Sequence, residues 1–296
     1  MRLAEKLHAL AATARIANVP SVAGNVFLGL ALAHVSGHSF LTNGSPAPAM
    51  FAIVSGIGLY LSGNFLNDWA DRHWDAGRRP ERALPRRLFR PQSYLAIAGA
   101  WGLAGLGAAA AAHPHCLAIA GALGLCIVIY TWAHKRFAWS VIPMGLCRAL
   151  LPALGFSAMA GLNEIPSGVA LCALGLFSHI VGLSLSARCE TMASPPTGLL
   201  RCARWCFVPA AGSMWIVAWQ SLSLPLAASF TGLLPYGLWI TFCLTVFRKP
   251  VPVHVSNLLA GIPLVDWIVL LPLSFALGMS GPFSIACMIV PPVAFL

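Results

Sequence analysis

Acidic residues are nearly missing from this chain: eight Asp and Glu stand among 296 residues, beside eighteen Lys and Arg. Charged side chains make up only 9% of the sequence, against roughly 25% in an ordinary soluble domain, while hydrophobic residues reach 58% and mean hydropathy is +0.80. That balance excludes a water-soluble globular fold and indicates an integral membrane protein. No polar stretch long enough for a separate soluble domain remains, so residues 1–296 read as a single membrane domain. Paired cysteines are missing as well. The nine Cys lie mostly inside apolar runs and form no CxxC pair, and Cys202 with Cys206 lacks two further ligands nearby, so they read as small buried apolar side chains. The formal charge of +10 does not point to nucleic acid, because the basic residues sit between apolar runs instead of on one soluble surface.

Lys and Arg are themselves absent from every second connection. A helix needs about 20 apolar residues to cross a bilayer, and such runs fall at about 16–35, 50–67, 93–112, 115–132, 139–160, 167–187, 205–222, 226–247 and 256–277. A shorter apolar end at 283–296 carries Pro291-Pro292 and reads as a re-entrant or tenth piece. The expected fold is an all-α polytopic bundle of about nine transmembrane helices. Basic residues occupy the N-terminal segment, the loop Arg72 to Arg90, Lys135-Arg136, the stretch Arg188 to Arg204, and Arg248-Lys249; the opposite connections carry none. Because Lys and Arg collect on the cytoplasmic side, the N-terminus and the basic loops are expected there, in an inner (cytoplasmic) membrane. The first fifteen residues place Leu3, Leu7 and Leu10 on one side of a surface helix. A cleaved signal peptide is not expected, since the following apolar run is too long and many spans come after it.

Against this scarcity of acid, one stretch concentrates it. The second apolar run ends in Asn64-Phe65-Leu66-Asn67-Asp68-Trp69-Ala70-Asp71-Arg72-His73-Trp74-Asp75. If the helix continues, Asn64, Asp68, Asp71 and Asp75 fall at i, i+4, i+7 and i+11, one face. Carboxylates about 5–6 Å apart repel unless a cation sits among them. Mg2+ takes one or two carboxylates, keeps waters and completes its shell with phosphate oxygens, so an open row of Asp suits a metal diphosphate better than a closed cage. The Arg residues that follow, Arg78, Arg79, Arg82, Arg86 and Arg87, offer planar forks for phosphate oxygens. A charged loop obeying membrane topology accounts readily for the arginines and less readily for three Asp on one face in a chain with only eight acids.

Further candidates lie along the chain. Tyr130 to Arg136 brings Lys135 and Arg136 to the side of the Asp row, as phosphate partners or as ordinary flanking charges. Arg148, inside the fifth span, is costly in hydrocarbon and either faces a polar cavity or holds a buried carbonyl. At the end of the sixth span Ser186 and Glu190 are i, i+4 with Arg188 beside them, which resembles a second ligand stripe with a member missing, or a helix end with a local ion pair. Asp266 has no basic neighbour in sequence, so a partner such as Arg148 must come from another span if it stays charged.

These residues resemble a known family. Asn67-Asp68-Trp69-Ala70-Asp71-Arg72-His73-Trp74-Asp75 matches the NDxxDxxxD first motif of UbiA-type intramembrane prenyltransferases. The loop Pro80-Glu81-Arg82-Ala83-Leu84-Pro85-Arg86-Arg87 is similar to their PxRPLPSG-like segment, with Ala, Arg and Arg where Pro, Ser and Gly are usual. The Tyr130–Arg136 and Gly145–Gly155 segments and the span count also look like this family, as do divergent EboC-like members. The resemblance implies a helical bundle in which Asp-rich helix ends hold Mg2+ and an isoprenyl diphosphate, with the tail among the spans. Ionisation then gives an allylic cation captured by an aromatic or other lipophilic acceptor. It assigns catalysis to Asp68, Asp71, Asp75 and Glu190, metal binding to Asp68, Asp71 and Asp75, and diphosphate binding to Asn64, Asn67, Arg82, Lys135, Arg136, Arg148 and Arg188. Where the family has a second, DxxxD-like motif, this chain reads Ser186-Ala187-Arg188-Cys189-Glu190 with no Asp. The second metal site then rests on Glu190 alone or is replaced by the charge of Arg188.

The expected partners are therefore a prenyl diphosphate, a lipophilic acceptor and membrane lipid. The alternative, motivated by the missing second Asp pair, is a non-catalytic carrier or exporter of a hydrophobic metabolite that keeps the cavity and one charged gate. A third reading, a CDP-alcohol phosphotransferase, also uses Asp rows at a membrane surface but expects a DGxxAR segment upstream of the row, which this chain lacks.

Overall fold

A computed structural model describes residues 2–38, 45–161, 165–189, 192, 196–221, 225–247, 251–278 and 281–295. The helices in chain order are α1 (Arg2–Ala14), α2 (Val19–Val35), α3 (Ala47–Arg78), α4 (Pro91–Ala112), α5 (Pro114–Ala133), α6 (Val141–Ser157), α7 (Ser167–Arg188), α8 (Thr197–Trp205), α9 (Phe207–Ile216), α10 (Leu226–Thr245), α11 (Val251–Ala260), α12 (Ile262–Ala276) and α13 (Pro282–Phe295). Among the described residues all regular structure is helical.

Eight helical stretches are long and apolar enough to cross a membrane, which makes the chain an integral membrane protein. They correspond to eight of the nine runs read from the sequence. The exception is 205–222. There α8 ends at Trp205, α9 starts at Phe207 and stops at Ile216, and a π turn covers Val217–Ser221. The apolar composition is as expected, but the helix is broken into pieces shorter than a bilayer crossing requires. The C-terminal 283–296 run becomes α13, a short apolar helix. It rests on α2 through Phe283 and Phe27, whose ring centroids are 5.7 Å apart.

The centre of the bundle is the crossing of α2 and α6. A Cβ on Gly29 would lie 1.8 Å from the Pro152 carbonyl oxygen, and one on Gly155 would lie 2.0 Å from that of Val26. Only glycine permits this backbone approach, the usual means of tight helix contact in lipid. One apolar core spreads from here through α7, α9, α10 and α12, and a second through α3 and α5. A third, built on Phe65, Ala83, Tyr94 and Ala14, ties α1 and the loop after α3 to α4. Leu103, Leu125 and Leu234 are exposed on the perimeter, as helices bordered by hydrocarbon rather than water require.

Candidate functional site

The site is carried by the far end of α3. With 32 residues α3 is about 48 Å long at 1.5 Å per residue, well beyond the roughly 30 Å hydrocarbon core. No Gly or Pro interrupts residues 64–76, so the helix continues through the Asp row. It ends when Arg79, preceding Pro80, leaves the helical region at φ −140, ψ 61.

The row is one face, as its spacing predicts: Asn64, Asp71 and Asp75 are buried and Asp68 is half-buried. Each carboxylate meets cations or donors from another part of the chain. Arg82, from the loop after α3, places one nitrogen 3.0 Å from Asp68 Oδ1 and 2.8 Å from Asp75 Oδ2. Thr13 of α1 donates to Asp68 Oδ2 at 3.1 Å. Asp71 faces the end of α5, with His134 Nε2 at 3.0 and 3.1 Å from its two oxygens and Lys135 Nζ at 3.2 Å. Asn64 Nδ2 donates to the Ala14 carbonyl at 3.0 Å, and Asn67 Oδ1 is buried without a partner.

The Asn64–Asn67 part of this row borders a largely apolar cavity among the spans. Asn64 and Asn67 contribute to its wall, with Tyr60, Ile127, Leu151 and Ile180 below them and Arg15 and Tyr130 nearby. Arg15 holds the left-handed conformation (φ 48), and its carbonyl accepts from Tyr60 at 3.2 Å.

Arg148 also lines the cavity, beside Tyr60, which lies one helical turn before Asn64 on α3 and whose ring centroid is 5.7 Å from its guanidinium. Its Nη1 donates to Ser21 at 3.0 Å and to Asn25 Oδ1 at 2.8 Å, while Asn25 Nδ2 donates to Asp266 Oδ2 at 2.7 Å. Asp266 and Arg148 are therefore joined through an intervening amide rather than in direct contact. Arg188 turns to the connection after α5, bonding the carbonyls of His134 at 3.2 Å and Phe137 at 2.6 Å and the Ser140 hydroxyl at 2.7 Å. Arg136 packs on the Trp132 ring, 5.7 Å from its centroid. Ser186 donates back to Gly182 within α7. Glu190 lies outside the described residues.

The structure thus brings Asn64, Asn67, Asp68, Asp71, Asp75, Arg82 and Lys135 together. It sets Arg148 deeper, and ties Arg136 and Arg188 to neighbouring segments. Sequence reasoning passed over Thr13, Arg15 and His134 as site residues. His134 carried a signal, lying one place before Lys135; Thr13 and Arg15 lay in an N-terminal helix read only as a surface anchor.

Among the described residues no three His, Cys, Asp or Glu converge closely enough to cage a metal. The oxygen donors do fit Mg2+, which binds through one or two carboxylates and fills its shell with water and phosphate. The unpaired Asn67 oxygen adds a neutral donor of the same kind.

Comparison with known proteins bears on this geometry. A digeranylgeranylglyceryl phosphate synthase from Methanopyrus kandleri is 33% identical over 89 residues, 30% of this chain and 31% of that protein. The chain therefore aligns with under a third of that curated relative's length. A structure described for digeranylgeranylglyceryl phosphate synthase in membranes superposes with TM-score 0.64 at 16% identity, covering 91% of this chain and 97% of the other. A UbiA homolog from Archaeoglobus fulgidus bound to DMAPP and Mg2+ superposes with TM-score 0.57 at 15% identity, covering 85% and 98%. Residues 22–255, from the second helix through the Asp row to α11, match the UbiA prenyltransferase family, and the chain belongs to it.

Proposed function

We propose that this protein is a Mg2+-dependent intramembrane prenyltransferase that moves an isoprenyl group from a prenyl diphosphate to a lipophilic acceptor, aromatic or otherwise. One observation carries the reading: a row of three carboxylates, two of them buried and each met by a cation, continues the Asn64–Asn67 wall of an apolar cavity among the spans. Family membership and the likeness in fold support it. Asp68, Asp71 and Asp75 hold the metal, and Arg82 and Lys135 meet the phosphate oxygens. Arg136, after α5, and Arg188, at the end of α7, supply further positive charge, Glu190 serves as a partial second site, and Asn64 and Asn67 orient the headgroup.

Bound Mg2+ supplies positive charge to the departing diphosphate. The chain's residues do the rest. Arg82 and Lys135 shift from carboxylate to phosphate and stabilise the charge that develops as the C1–O bond breaks and its electron pair leaves with diphosphate. The apolar walls at Ile127, Leu151 and Ile180 keep water from the allylic cation. The acceptor nucleophile then bonds C1, and its proton passes to the released diphosphate. The row and the N-terminus face the cytoplasm in this reading, the membrane is the cytoplasmic one, and the chain acts as one domain.

The test is Mg2+-dependent binding of a non-hydrolysable C15 or C20 prenyl diphosphate analogue to purified protein, wild type against Asp71→Asn, followed by diphosphate release with C10 to C20 donors and an acceptor panel. Binding that needs both metal and Asp71 is expected. Metal-independent binding that Asp71→Asn leaves unchanged would overturn the assignment.

A further inference from the structure

A second charged concavity lies about a third of a turn round α3 from the Asp row. Asp68, Asp71 and Asp75 share one face, whereas Arg72, His73 and Ala76 are displaced from them by roughly 110° at 100° per residue. These three form one wall of a cleft completed by Lys6 of α1 and by Arg87 and Arg90 of the loop entering α4. Its floor is apolar, including Leu84, Leu88 and Phe89, and no Asp or Glu lines it.

Charge accounting singles out this cleft. Of the described acids at this end of the molecule, Asp68 and Asp75 are held by Arg82, Asp71 by Lys135 and His134, and Glu5 by Arg86, while the exposed Glu81 makes no ion pair and lies outside the cleft. Lys6, Arg72, Arg87 and Arg90 make no ion pair among the described residues. Two of the cations are instead steered by ring faces: Arg72 lies 4.6 Å from the Trp69 ring centroid and donates to the Trp69 carbonyl at 2.7 Å, and Lys6 lies 5.8 Å from that of Phe89. Arg87 is held in the left-handed region (φ 56), a conformation disfavoured for a side chain of this size. On α1, Leu3 and Leu7 flank Lys6 and are 72% and 58% exposed, so an apolar surface borders the cations.

We infer that this cleft is a second anion site, distinct from the Asp row, that binds a phosphate group through Lys6, Arg72, Arg87 and Arg90, presented either by an anionic phospholipid or by a free phosphate ester. Several convergent cations without a carboxylate are the chemistry that recognises phosphate, and a cation near an anionic bilayer surface gains affinity from it. The inference does not depend on the proposed transfer reaction. Occupation would brace the loop that also carries Arg82, so a ligand here would bear on the order of the Asp-row face without entering it.

The experiment uses the full chain in detergent, with phosphatidylglycerol and phosphatidylcholine as lipid probes read by native mass spectrometry, and inorganic phosphate as the soluble probe read by thermal shift. The triple variant Arg72→Gln/Arg87→Gln/Arg90→Gln is expected to lose phosphatidylglycerol affinity on the order of 100-fold, at about five-fold per cation. Arg78→Gln/Arg79→Gln, which removes exposed charge outside the cleft, is expected to leave it unchanged. Should the triple variant fail to fold, the single exposed Arg90→Gln is expected to lose about five-fold. Preference for phosphatidylglycerol over phosphatidylcholine with this variant pattern supports the site and names lipid as the source. Stabilisation by millimolar phosphate with the same pattern, and no preference among lipids, supports it with a free ester as the source. Equal losses in the cleft and control variants, or no response to either anion, would overturn it.

Discussion

Replacing Arg82 by Gln tests the wiring of the Asp row. One guanidinium nitrogen serves Asp68 at 3.0 Å and Asp75 at 2.8 Å, with side-chain exposures of 22% for Arg82, 13% for Asp68 and 3% for Asp75. Removing one partner of a fully buried pair costs about 3–5 kcal/mol, because the remaining charge is stranded. Here the cost is smaller. Asp68 keeps its bond from Thr13, and water reaches the vacated place through the exposed edge of Arg82. Asp75 alone is left dry, and about 2–3 kcal/mol is expected, the scale of one or two charge-assisted hydrogen bonds. In thermal unfolding of detergent-solubilised protein without divalent metal this is a midpoint lowered by roughly 4–8 °C. Saturating Mg2+ should recover at least half of the deficit, since a metal ion among the carboxylates replaces the missing charge. A variant as stable as wild type, or a deficit that Mg2+ leaves untouched, would refute the claim that Arg82 neutralises these two acids.

Other substitutions probe the frame and the deeper polar chain. Gly29→Ala and Gly155→Ala each drive a methyl group to within about 2 Å of a carbonyl oxygen across the α2–α6 crossing, so loss of monodisperse protein on size exclusion is expected, with at least 1–3 kcal/mol of overpacking. Gly107→Ala, with open space around it, should be neutral in the same assay. Asn25→Ala removes the amide between Arg148 and Asp266, leaving Asp266 without a hydrogen bond and Arg148 with Ser21 alone; about 3–5 kcal/mol should be lost in thermal unfolding. Asp266→Asn, whose carbonyl oxygen still accepts from Asn25, should cost less than Asn25→Ala, and the reverse order would show that the link is not what holds α12 to α2.

How far the site could be read in advance depended on how local each relation is. Asn64, Asp68, Asp71 and Asp75 lie within eleven residues on one helix, and helical periodicity alone puts them on a common face. Lys135 could be brought to the same side from the alternation of charged and uncharged connections. Arg82 was legible as a phosphate partner from the loop resemblance, but its bridging of Asp68 to Asp75 was not, since that depends on how the loop folds back over Ala83 and Tyr94. Thr13 meets Asp68 from 55 residues away, and Asn25 meets Asp266 from 241 residues away. No periodicity connects such pairs.

The sequence by itself determined the solvent of the protein, the approximate crossings, the charged and uncharged sides and the face on which the carboxylates stand, because hydrophobic length, charge placement and a 3.6-residue repeat are properties of short stretches. Only the tertiary structure decided which cation answers each carboxylate, that Arg148 sits below the row, and that 205–222 breaks into α9 and a π turn. Those outcomes depend on packing between helices distant in the chain. Gly29 and Gly155 show the reason: a close crossing of two backbones fixes where every attached side chain ends, and neither glycine reveals its partner until both helices are in place.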